Sequence, residues 1–260
     1  ARRIRELSLK LVHKAGASHI GSALSIADVL AVLITNTDIC NLRESEDPLR
    51  DRLLLSKGHA CVALYSALCV KGFFSESDLM TYGDDFSPFM NHASHHVPGV
   101  EISTGALGHA MPIACGICMA AKLRNERWHT YVILSDGELQ EGSNWESFMF
   151  AAHHNLKKLT AIIDYNNLQS IKSVEETLSL KPLDNKLQAF GWSTYTVDGH
   201  DHKRLKHMLQ EAKLDDRPSA IIMNTTKGKG VSYMENSVEW HYKSPNDDEL
   251  QRALNEVLSE

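Results

Sequence analysis

The sequence predicts an α/β fold in which a parallel β-sheet is flanked by helices. Three observations point there. Short apolar runs that stop at turn residues alternate with amphipathic helical stretches along most of the chain. Residues 131–169 form a strand–helix–strand unit of the kind that joins parallel strands. The 260 residues are 43% hydrophobic and 23% charged, enough for the core of one large domain, expected to span 1–260.

In chain order, Arg2 to Lys14 places Ile4, Leu7, Leu11 and Val12 on one face and basic groups opposite, the pattern of an amphipathic helix. Gly16 to Gly21 breaks it and leaves His19 in a glycine-bounded loop; Ser25 is expected to cap a second helix running to Ile34. Asp51 to Ser56 is a strand candidate ending at Lys57-Gly58-His59, and Ala60 to Val70 follows as a helix. Pro88 to His109 is loop-like and holds four of the fourteen histidines; Gly105 and Gly108 there would let backbone approach a ligand before a long helix. His92, His95 and His96 fit no standard zinc spacing, which favours hydrogen bonding or proton transfer near an anionic substrate.

Tyr131 to Leu134 stops at Ser135-Asp136-Gly137, and Leu159 to Ile163 stops at Asp164-Tyr165-Asn166-Asn167, both reading as buried strands ending in turns. Between them Trp145, Phe148, Met149, Ala152 and Leu156 recur at helical spacing. The helical crossover brings both strands to end at the same edge. If the strands are adjacent, roughly 5 Å apart, Asp136 and Asn166 can converge on one hard cation, at the edge where open α/β sheets bind ligands. Trp192 to Val197 and Ala220 to Asn224 add two strands with a helix, His202 to Lys213, between them. Thr225 to Pro245 is a loop from which Lys227, Lys229 and His241 can fold back, and Asp247 to Leu258 is a final docking helix.

A net charge of −6 argues against nucleic acid as the default partner, and the absence of about 18 consecutive apolar residues argues against a membrane span. The basic N-terminal stretch lacks the apolar core of a signal peptide. Five scattered cysteines suit a reducing cytoplasm, and Cys115-Gly-Ile-Cys118, with no second pair, is expected to pack in the core.

Ser135-Asp136-Gly137 followed by Asn166 resembles the fingerprint of thiamine-diphosphate enzymes, with serine where glycine is usual. The neighbouring GELQEGSNWESFMFAAHHNL at 137–156 resembles the transketolase version throughout. So do Ser18-His19, SKGH at 56–59, PGVEISTGALGH at 98–109, VDGHD at 197–201 and TTKGKGVSYMEN at 225–236. The resemblance runs through nearly the whole chain, in order, but corresponds only to the diphosphate-binding domain. The pyrimidine-binding and C-terminal domains, with the glutamate that activates the cofactor, have no counterpart.

The resemblance implies the N-terminal subunit of a split transketolase, a transferase moving a two-carbon ketol from a ketose, phosphorylated by default, to an aldose. It implies thiamine diphosphate with Mg²⁺ or Ca²⁺ as cofactors. The implied partner is a C-terminal subunit, two copies of each chain forming a cytoplasmic heterotetramer. Asp136 and Asn166 would ligate the metal through side chains and Leu168 through its carbonyl. Gly137 would approach the diphosphate, Gly105 and Leu107 would lie against the cofactor rings, and Glu141 would sit between the halves. His19, His59, His92 and His241 match active-site histidines, His59 and His241 near the diphosphate. Asn91-His92-Ala93 departs from the usual Gly-His-Pro, which leaves the sugar open to unusual, branched or sulfonated ketoses. Two other readings are an α-type subunit of a 2-oxo acid dehydrogenase, against which the histidines speak, and a non-catalytic diphosphate-binding assembly subunit.

Overall fold

The computed structural model describes residues 1–42 and 47–259. Its sheet has five parallel strands, β1 (Arg52–Leu55), β2 (Thr130–Ser135), β3 (Leu159–Tyr165), β4 (Ser193–Asp198) and β5 (Ser219–Asn224), in the order β1-β2-β3-β5-β4. The helices, in chain order, are α1 (Arg2–Ala15), α2 (Ile20–Ser25), α3 (Ala27–Thr35), α4 (Cys61–Lys71), α5 (Glu76–Leu79), α6 (Ala110–Leu123), α7 (Gly142–His153), α8 (Val174–Thr177), α9 (Leu183–Ala189), α10 (His202–Leu214) and α11 (Asp247–Ser259).

Both faces of the sheet are covered, as an all-parallel sheet requires. Alternate residues serve opposite cores. Tyr131, Ile133, Ile162 and Ile221 pack with α1, α3, α4, α10 and α11, while Val132, Leu134, Ala161, Ile163 and Ala220 pack with α6, α7 and α9. The expected strands are all present, and β2 and β3 are neighbours in a register that sets Ser135 opposite Asp164. Gly16 ends α1 in the left-handed conformation at φ 57°, its N–H returned to the carbonyls of His13 and Val12.

Three local expectations differ. Ser25 caps nothing: it closes the short α2, is buried, and donates its hydroxyl to Asp164. A serine before an apolar run reads as an N-cap, but here the chain has already turned helical at Ile20 and only kinks at Ile26. In α7 the buried side is Asn144, Ser147, Phe148 and Ala151, whereas Met149 is 49% exposed and Leu156 lies past the helix end. Arg5, on the basic side of α1, is buried against Asp28.

Cys115 and Cys118 are buried free thiols, pushed up to about 12 and about 11 by burial, which makes them packing residues rather than redox groups. Among the described residues no helix is long and apolar enough to cross a membrane.

Candidate functional site

The turns that follow β1, β2, β3 and β5 meet at one edge of the sheet. There they line a cavity of about 270 Å³. Lys57 and His59 come from the turn after β1, Asp136 and Gly137 from that after β2, Asn166 and Leu168 from that after β3, and Lys227 from that after β5. His19, His92, Gly105, Leu107 and His241 close the cavity from the loops. Of the residues expected at a site, Glu141 alone does not line this cavity. It is exposed at the start of α7, with its Cβ where a Cβ on Gly108 would collide.

One side of the cavity is built of oxygen donors. Asp136 is buried and accepts from Gly137 N at 2.7 Å and Asn167 N at 2.6 Å; the second bond depends on Asn167 adopting φ 63°. Burial, and then the nearby Asp164, push the Asp136 carboxyl up to about 7. Its ionised form therefore lacks a cation. The Asn166 side chain is held by Leu168 N at 3.0 Å and by Asp164 at 3.1 Å. A Cβ on Gly137 would come within 3.2 Å of the Gln169 side chain, so glycine keeps this wall low.

Facing these donors is Lys227. Its Nζ lies 3.1 Å from Leu168 O, 2.9 Å from Gln169 O and 3.0 Å from His241 Nδ1. Among the described residues no carboxylate pairs with it. Burial, then Lys57, lower it to about 8, so the ammonium lacks an anion as Asp136 lacks a cation. Lys229, which the sequence allowed to fold back as well, instead pairs with Glu235.

The floor was not legible as a site. Lys57 and Asp164 form a fully buried ion pair, and Asp164 also accepts from Ser25, Asn166 and Thr225. Burial works to raise the Asp164 carboxyl, but the Lys57 charge and these donors hold it below the ordinary carboxylate value. The available signals were the lysine inside SKGH and an aspartate at the end of a strand otherwise made of apolar residues. Glu138, also missed, is buried beneath the cavity wall and accepts from Ser56, Gly108 N and Ser135 N, which ties the 105–108 loop to the end of β2. Burial raises its pKa.

The other side of the cavity is a cluster of imidazoles. Ring centroids of His19 lie 5.2 Å from His59, 5.8 Å from His92 and 5.0 Å from His241. His92 also packs against Gly105, where a Cβ would sit 3.1 Å from its ring. Burial first, with the surrounding rings and lysines adding to it, lowers His19 to about 4 and His241 to about 3, and holds His59 well below its usual value. These three rings are neutral near pH 7, and each can donate one hydrogen bond and accept another. His95 and His96 stack on each other on the exposed loop and do not line the cavity.

The donor set suits a diphosphate bound through a hard divalent cation. Among the described residues no group of three or more His, Cys, Asp or Glu side chains could hold a metal. One carboxylate, one amide oxygen and one carbonyl are the ligands expected when the anion and water supply the remaining oxygens. The buried Gln169 Nε2 in the wall lacks a partner and can donate to the same anion.

Comparison with known proteins agrees with this geometry. The family model described as the transketolase, thiamine diphosphate binding domain matches residues 1–257. One of the two chains of an apulose-4-phosphate transketolase from Phocaeicola vulgatus is 37% identical over 97% of this chain and 90% of its own length. A 6-deoxy-6-sulfo-D-fructose transketolase subunit from Clostridium sp. is 36% identical over 99% of this chain and 94% of its own. Among solved structures, a transketolase from Campylobacter jejuni superposes with a TM-score of 0.92 at 31% identity over 98% of this chain, which spans 41% of the length of that one.

Proposed function

Because the chain belongs to the transketolase family, in its thiamine diphosphate binding domain, we propose that it is the N-terminal subunit of a two-chain transketolase. In this reading residues 1–260 are the diphosphate-holding half of an enzyme that transfers a two-carbon ketol from a ketose to an aldose. The observation that carries it is one cavity holding Asp136 short of a cation, Lys227 short of an anion, and four histidines beside them.

Asp136, Asn166 and the Leu168 carbonyl would hold Mg²⁺ or Ca²⁺, and Lys227 with Gln169 would neutralise and orient the diphosphate. When bound, thiamine diphosphate supplies the carbon nucleophile and electron sink for breaking the bond beside a ketone. Gly105 and Leu107 would flank its rings, and Glu141 would face the partner. His19, His59, His92 and His241 would hold sugar hydroxyls and move protons between them. Neutral imidazoles suit both tasks, since each ring accepts a proton at one nitrogen while donating from the other.

The partner would be a C-terminal subunit, with two copies of each chain. The names of the relatives, transketolase subunits, favour ketol transfer over a 2-oxo acid dehydrogenase or an assembly role. An apolar patch supports docking: Ile113 and Leu123 of α6 and Met149 and Phe150 of α7 are all at least 42% exposed. Five free thiols fit the cytoplasm.

Reconstitution tests the reading. The chain alone should transfer no ketol, and adding the C-terminal subunit with thiamine diphosphate and magnesium should restore transfer. Because relatives carry apulose-4-phosphate and a sulfonated fructose in their names, those sugars belong in the assay beside pentose phosphates. Failure of every partner and sugar combination would refute it.

A further inference from the structure

The VDGHD turn at 197–201 lies outside the cavity, yet it holds the segment that delivers Lys227. The ends of β4 and β5 are in register, with Asp198 opposite Asn224, so the turns after them run side by side. His200 Nε2 lies 2.8 Å from Thr226 N, and its Nδ1 lies 2.7 Å from Asp28 Oδ2. A backbone N–H can only donate. Nε2 is therefore the bare nitrogen, and Nδ1 carries the proton toward Asp28.

Asp28 is itself fixed by Arg5 and by His202 Nε2 at 2.7 Å, so the ring has no freedom to turn. Burial works to raise the Asp28 carboxyl, but the bonds and charges of His200, Arg5 and His202 hold it well below the carboxylate range. Either side of Thr226 the turn is pinned again: Thr225 Oγ1 donates to Asp164, and Gly228 N donates to Gly21 O at 2.9 Å. Gly228 has φ 83° and no room for a Cβ, which would meet Met234 O at 2.3 Å. The backbone on both sides of Lys227 is thus placed to within the slack of these bonds.

We propose that His200 is a positioning residue for the diphosphate: by accepting the Thr226 N–H it fixes the backbone from which Lys227 reaches the anion. The inference rests on the reading of Lys227 given above. Asp28 acts one step further back, by holding the tautomer that leaves Nε2 free to accept.

Two near-isosteric variants separate this role from simple packing. In His200→Gln the amide oxygen replaces Nε2 and can still accept from Thr226; in His200→Asn the shorter side chain can reach Asp28 but leaves the Thr226 N–H unpaired. Thiamine diphosphate with magnesium, titrated calorimetrically into the full chain assembled with its C-terminal subunit, should bind about tenfold more weakly to the Asn variant and within about twofold of normal to the Gln variant. In a Lys227→Ala background the two variants should bind alike, because the difference acts through Lys227. Amide hydrogen exchange at Thr226, read without cofactor, should quicken in the Asn variant and not in the Gln variant, with melting curves reporting that both are folded. Equal binding by the two variants with Lys227 intact, or a difference that persists without Lys227, would overturn the inference while leaving the site reading in place. Absence of binding by the unsubstituted complex would overturn both.

Discussion

His19 and His241, from opposite ends of the chain, hold each other twice. The His19 N–H donates to the His241 carbonyl at 2.9 Å, and their rings meet edge to face with centroids 5.0 Å apart. His19 does this at φ 72°, a left-handed conformation that costs a non-glycine residue on the order of 1–3 kcal/mol and persists where surrounding contacts over-determine it. The backbone bond and the imidazole cluster are those contacts.

The cluster makes folding sensitive to acid. His19 is lowered to about 4, so the unfolded chain takes up a proton near pH 6.5 that the folded chain refuses. The unfolded state binds more protons in that window, and stability falls as the pH drops from about 6.5 toward 4. Replacing His19 removes one such site. His19→Gln should therefore lose less melting temperature than the unsubstituted protein between pH 6.5 and pH 5, by about 2–4 °C. Parallel pH dependences would mean that the His19 ring is protonated in the fold.

Lys57 and Asp164 carry the buried charge of the floor. Lys57→Met should leave Asp164 with hydroxyl and amide donors but no countercharge, and should cost about 3–5 kcal/mol in denaturant unfolding. The double substitution Lys57→Met with Asp164→Asn should recover part of that loss. A single variant within about 1 kcal/mol of the unsubstituted protein would show that the pair is not the anchor described.

The exposed α6–α7 face predicts a change in assembly without a change in fold. Phe150→Asp adds a charge where the side chain is 43% exposed, so the chain alone should stay within about 0.5 kcal/mol of normal stability. Its association with the C-terminal subunit, followed by sedimentation, should weaken at least about tenfold. Unchanged association would place the partner elsewhere.

How much of the site was legible depended on where each residue sits relative to its own strand. Asp136 and Asn166 end apolar runs joined by one crossover, so local pattern and parallel pairing were enough to bring them to one edge. Lys57 and Asp164 are 107 positions apart and meet across β2, a contact that depends on strand order and not on periodicity. Ser25 looked like a helix cap because its packing against Asp164 leaves no trace in local spacing. Met149 fitted the apolar stripe of α7 because a face built to meet another chain has the same composition as a face built to meet a core. His200 and Lys227 stood in motifs that the resemblance marked, but their connection through Thr226 N exists only in three dimensions.

The central claim is that Asp136 anchors a cation-bound diphosphate. The most direct measurement is calorimetric titration of thiamine diphosphate and magnesium into the assembled complex, comparing the unsubstituted chain with Asp136→Ala. Binding that requires magnesium and falls by at least about a hundredfold in the variant, with its melting temperature maintained, is the expected result, since a buried charged partner is worth a few kcal/mol. Equal affinity in the two proteins, or affinity indifferent to magnesium, would contradict it.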